Sequence, residues 1–125
     1  MEEITIVTEN KVGILADVCE LLGSNGINVE AISAQGLGGS GVIRVITGDV
    51  ASATRALDKA GVRYNQSEVL VVKVNDVPGE LGKIARRIAK NSINIECMYL
   101  LSKNKGVMEV AIKTDNLPLA RRALK

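Results

Sequence analysis

Apolar positions along this chain keep two rhythms, and the same succession of rhythms is written twice. Ile4–Thr8 and Val69–Val74 are runs rich in β-branched residues, the pattern of a strand. After each comes a short turn and then an apolar stripe at helical spacing. Leu15, Val18, Cys19 and Leu22 recur at i, i+3, i+4 and i+7, and Leu81, Ile84, Ala85 and Ile88 do the same. Gly26 stands where the first of these helices must stop, since glycine enters a left-handed cap at least cost. Ile27–Ala34 and Ile93–Leu101 read as second strands, each followed by a turn and a third strand, Val42–Thr47 and Val107–Lys113. Asp49 and Asp115 are placed to cap a second helix, and Pro118 falls in a first turn, where it is tolerated. Gly61 ends that helix in the first half, and Val62–Gln66 fits a short fourth strand.

The two halves align on one another. A displacement of 66 residues lays Gly13 on Gly79, Leu15 on Leu81, Asn25 on Asn91, Ile27 on Ile93, Asn28 on Asn94 and Glu30 on Glu96. Farther on the displacement is 67, where Arg55, Ala56 and Leu57 meet Arg122, Ala123 and Leu124. The chain is a duplication, with copies over residues 1–66 and 67–125. Each copy has the order β-α-β-β-α-β, which predicts an α+β fold of two ferredoxin-like modules, antiparallel sheets with helices on one face. A module of about 60 residues buries only about 60% of its unfolded surface and is marginal alone. The copies are therefore expected to pack together, with a ligand seam between them. The second copy reaches Lys125 without a counterpart of Lys59–Gln66, so Val69–Val74 is expected to carry an unpaired edge. A second chain covering that edge would make the protein a homodimer.

Composition removes several classes of function. A net charge of +2 points to no acidic or basic partner. Nucleic-acid binding is not expected, because single-strand binders need aromatic platforms and this chain has only Tyr64 and Tyr99. The N-terminal segment reaches only the short apolar run Ile4–Val7, neither a signal peptide nor a membrane span, so no membrane role is expected. Cys19 and Cys97 sit in apolar-periodic segments and read as small buried hydrophobes in a reducing, cytoplasmic setting. With no histidine there is no plausible zinc set, and no general base or activated nucleophile is evident. No catalytic residue, metal or cofactor is expected.

Three features carry candidate chemistry. Gly36, Gly38 and Gly41 match G-x-G-x-x-G, but a strand follows them where a dinucleotide site needs a helix, so they read as a hairpin turn. The turns before the first helices are more informative. Gly13 and Gly79 at a helix N-terminus let a ligand approach the backbone, and free N–H groups there suit a carboxylate. Asn10 and Asp76 would accept hydrogen bonds from an ammonium group; alternatively they cap the helices. Asn28 and Asn94 sit at the same place at the start of the second strands, where asparagine is disfavoured. An amide offers both donors and acceptor to an amino acid, or it bonds its own backbone at a turn edge.

Asn10–Gly13 and Asp76–Gly79, each followed by an apolar helix and then by Ile27–Val29 or Ile93–Ile95, resemble the ACT domain over nearly the whole chain. That family is a regulatory module of amino-acid metabolism that binds free amino acids. The resemblance implies ligand held between the turn of one module and the second-strand start of its neighbour. Its candidate residues are Asn10, Val12, Gly13, Ile14, Leu15, Asn28 and Val29 in the first copy. In the second they are Asp76, Pro78, Gly79, Glu80, Leu81, Asn94 and Ile95. Val12 departs from the family's proline, present as Pro78, and the charge difference between Asn10 and Asp76 implies unequal affinities. The function implied is an amino-acid-responsive regulatory protein acting on an enzyme of amino-acid metabolism. The alternative is a ligand-free regulatory or scaffolding subunit, on the pattern of the small subunit of acetolactate synthase.

Overall fold

The β-branched runs form strands and the 3.6-period stripes form helices throughout the computed structural model, which describes residues 1–125. The chain divides into two units, Met1–Ser67 and Glu68–Lys125. The first contains β1 (Glu2–Glu9), α1 (Ile14–Ser24), β2 (Val29–Leu37), β3 (Ser40–Thr47) and α2 (Val50–Lys59). A fourth strand, β4 (Asn65–Glu68), runs across the division. The second unit contains β5 (Leu70–Asn75), α3 (Glu80–Lys90), β6 (Ile95–Asn104), β7 (Val107–Thr114) and α4 (Leu117–Ala123). Strand order is β2-β3-β1-β4 in one sheet and β5-β7-β6 in the other. The fourth strand lies a few residues later than Val62–Gln66, because Val62 is taken up in closing α2: its N–H donates to Leu57 O at 2.9 Å, past Gly61 at φ 72.

Each sheet buries the face that its own helices cover. Ile4 opposes Val45 and Ile6 opposes Ile43, so alternation puts all four on one side of the first sheet, and all four are buried. Val18 and Leu22 of α1 and Ala53, Ala56 and Leu57 of α2 close that core. The second core repeats it with Met108, Val110 and Ile112 of β7 beneath Ile84 and Ile88 of α3 and Ala120 of α4.

The register also accounts for the change of displacement between the copies. Both second strands shift register at their start, between Val29 and Ala31 and between Ile95 and Cys97. Only β6 shifts again, between Leu100 and Ser102. Leu101 is thus one extra residue in the second copy, a β-bulge that turns an offset of 66 into 67. The glycine-rich segment of the first copy is a hairpin, with Leu37 paired to Ser40 and Gly38 at φ 59 between them.

Three expectations need correction. Cys19 is exposed and Cys97 half-buried. The packed face of α1 runs through Ile14, Val18, Leu21 and Leu22, so Cys19, one helical step round from Val18, falls on its flank. Leu15 and Leu81, placed at the head of the predicted stripes, are likewise left exposed. Asp49 caps α2 by accepting from Ser52 N at 3.1 Å, but α4 is capped by Asn116, which accepts from Leu119 N at 3.2 Å. Asp115 faces back to the second strand, accepting from Asn94 N at 3.0 Å.

Candidate ligand site at the strand–helix turns

Gly13 and Gly79 adopt the same conformation, φ 91 and ψ −12, as the N-cap residues of α1 and α3. A side chain is strained at that φ, and the reason for glycine is backbone geometry alone, since a Cβ built at either position would meet nothing within 4 Å. Neither helix has a side-chain cap. Asp17 N and Lys83 N are the first to find an intrahelical acceptor, the carbonyls of Gly13 and Gly79. The N–H groups of Leu15 and Ala16, and of Leu81 and Gly82, have none and point out at the positive end of the helix. Each unit therefore presents open space over uncapped donors.

Asn10 and Asp76 do not serve as caps. Their backbones are held alike, Asn10 N donating to Gly39 O and Asp76 N to Gly106 O, both at 2.9 Å. Their side chains diverge. Asn10 Nδ2 donates to Gly38 O at 3.0 Å, laying the amide over the β2–β3 hairpin. Asp76 Oδ1 lies 3.3 Å from Lys103 Nζ on β6. Beside Asn10, Glu9 and Lys11 pair at 2.6 Å on the open surface, and the lysine lowers the Glu9 pKa by hydrogen bond and charge.

Around these turns lie two open cavities of unequal size. That of the first unit is about 190 Å³, lined by Asn10, Lys11, Ile14 and Leu15 against Ala34, Gln35 and Gly36. That of the second is about 370 Å³, lined by Asp76, Pro78, Gly79 and Leu81 against Leu100, Lys103 and Met108. Val12 stands fully in solvent. Glu80 pairs with Lys83 at 3.1 Å on the helix surface and does not line the cavity. Ile14 packs against the core as well as the cavity.

Asn28 and Asn94 lie at the other end of each sheet from these turns. Val29 is level with Thr47, and Glu9 with Ser40. Most of a strand separates them, roughly 20 Å at about 3.3 Å per residue. Within one unit, then, the turn and the strand start cannot touch the same small molecule. The Asn28 carbonyl accepts from Thr47 Oγ1 at 2.9 Å, and the Asn94 carbonyl accepts from Asp115 N at 3.2 Å. Both asparagines are exposed, and neither side-chain amide bonds its own backbone. Val29 and Ile95 beside them pack against the cores. Lys103, Leu100 and Met108 are not recognisable from the sequence as cavity residues, being distant in sequence from the turns they face, and Gly36 reads there only as part of a hairpin turn.

Two ferredoxin-like units, each with an open uncapped turn between its first strand and first helix, define a tandem protein of βαββαβ-like modules, the second with a three-stranded sheet. The chain belongs to the ACT domain pair family, whose family model matches residues 1–124. A crystal structure of a protein from Bacteroides thetaiotaomicron is 29% identical with a TM-score of 0.88, over 98% of this chain and 85% of that one. The ligand-free regulatory subunit of aspartate kinase from Thermus thermophilus is 20% identical with a TM-score of 0.73, over 98% and 89%. The corresponding subunit from Thermus flavus is 20% identical with a TM-score of 0.68, over 98% and 89%. No match was found among curated proteins. No helix of the chain is long and apolar enough to cross a membrane.

Proposed function

We propose that this protein binds a free amino acid and regulates an enzyme of amino-acid metabolism, without catalytic chemistry of its own. The observation that carries the reading is the repeated turn, with glycine at φ 91 opening an uncapped helix onto empty space in both units. A carboxylate fits uncapped N–H groups at the positive end of a helix. The exposed amides of Asn28 and Asn94 supply the complementary donors and acceptor, and their distance from the turns of their own units calls for a neighbouring module to complete each site. Membership of the ACT domain pair family and the fold shared with aspartate kinase regulatory subunits support the regulatory role. Binding that favours one arrangement of modules over another shifts their equilibrium by the difference in affinity, which is how such a protein would signal. A homodimer is part of the reading.

A thermal-shift screen of the twenty amino acids tests it. At a hundredfold excess over the dissociation constant, binding contributes about 2.7 kcal/mol, a rise on the order of 10 °C for a chain of this size. If none of the twenty at millimolar concentration moves the transition, the ligand-free scaffolding subunit is the better account.

A further inference from the structure

Sheet register identifies which residue of one unit stands where in the other, and at the turn cavities four such positions differ together. Ala34 opposes Ile43 as Leu100 opposes Val110, and Gly36 opposes Gly41 as Lys103 opposes Met108. Gly41 in turn faces Thr8 as Met108 faces Val74. With Asn10 standing for Asp76, the substitutions from first unit to second are Asn10 to Asp76, Ala34 to Leu100, Gly36 to Lys103 and Gly41 to Met108.

These changes have consistent physical effects. In the first unit the Asn10 amide rests on Gly36, where a Cβ would come within 2.6 Å of its Nδ2. That arrangement needs glycine at 36, and it narrows the space in front of the turn. In the second unit a lysine rises from the matching position and reaches Asp76 instead, and the cavity is about 370 Å³ rather than about 190 Å³. Small-molecule pockets run from roughly 300 to 1,000 Å³, a range that only the second reaches.

We infer that the second-unit cavity selects a free amino acid with an aliphatic side chain, and that the first-unit cavity takes no such ligand. The inference rests on the amino-acid-binding reading and adds its specificity. Asp76 and Lys103 are partly exposed and offer opposite charges to the ammonium and carboxylate of a zwitterion. They are the only charged side chains lining the cavity. Leu81, Leu100 and Met108 remain for the ligand side chain, and none of them satisfies a hydroxyl, amide or third charge. A polar side chain placed there finds no side-chain partner among these three, whereas an aliphatic one gains by apolar contact with them.

Titration calorimetry on the full chain, with leucine, isoleucine, valine and methionine against aspartate, lysine and serine, tests this. The aliphatic set is expected to bind at one ligand per chain and the polar set to be silent. Leu100 is 45% exposed, so Leu100→Ala should fold, and it should weaken leucine about tenfold or more through lost apolar contact. Lys59→Ala, exposed on α2 and outside both turn cavities, should leave leucine binding unchanged. Preferential binding of aspartate, lysine or serine, or leucine binding indifferent to Leu100→Ala, overturns the aliphatic assignment and leaves amino-acid binding standing. Absence of binding by all twenty overturns both.

Discussion

Gly79→Ala separates what the turn does for the fold from what it does for a ligand. The perturbation is a single methyl at a residue with φ 91, and the space it enters holds no protein atom within 4 Å. No clash contributes, so the cost to the fold is the left-handed conformation alone, roughly 1–2 kcal/mol for a residue with a Cβ. A domain of this size loses about 4–8 °C of melting temperature per kcal/mol, so the free protein should melt about 4–16 °C lower. Gly61→Ala is the matched control. It has φ 72, equally open surroundings and a place at the end of α2, away from the turn cavities. The two variants should lose similar stability without ligand. Only Gly79→Ala should also lose ligand affinity, because its methyl stands where a carboxylate has to meet the N–H groups of Leu81 and Gly82. Denaturant melts and calorimetric titrations on both variants supply the comparison. Wild-type affinity in Gly79→Ala together with the expected fall in stability would remove the turn from the site. A loss of stability well under 1 kcal/mol in both variants would refute the account of why glycine is needed.

Two further outcomes follow from the same geometry. Asn28→Ala and Asn94→Ala should each leave the free protein's melting temperature nearly unchanged, since each side chain is exposed, and the one whose amide meets a charged group of the ligand should weaken binding by roughly 1.5–3 kcal/mol; equal losses with and without ligand would make both residues structural. β5 ends the strand order of its three-stranded sheet with no strand on its outer edge, and a row of unpaired N–H and C=O groups invites pairing with another chain. Light scattering at micromolar concentration should give the mass of a dimer, and a monomer whose Leu70–Asn75 amides resist hydrogen exchange would count against it.

The architecture was legible in the sequence because each element carries its own period. Ile4 and Ile6 alternate, Val18 and Leu22 sit one turn apart, and the whole order repeats after 66 residues, so every assignment was made twice. What periodicity left open was the phase of each helix at its first turn. Leu15 and Leu81 belong to the stripe by spacing, yet α1 and α3 begin at the edge of their sheets, where Ile14 turns inward and the leucines overhang the cavities. The caps show the same limit: Asp115 and Asn116 are both competent by residue type, but past the extra Leu101 it is Asn116 that stands at the place of Asp49, and Asp115 accepts from Asn94 N instead. The charged wall of the second cavity was hidden for a different reason. Lys103 follows Asp76 by 27 residues in no recognisable motif, and the extra Leu101 displaces it from the position that the repeat would assign. Counting by 66 sets Lys103 against Leu37, an exposed side chain at the hairpin, whereas hydrogen-bonded register sets it against Gly36, the residue that lets Asn10 lie across the first cavity. A one-residue bulge thus separates two turns that read alike in sequence into a narrower cavity and a wider one walled by a lysine. Differences in ligand preference within such duplicated modules are therefore better sought in the register of the second strand than in the turn that first identifies the site.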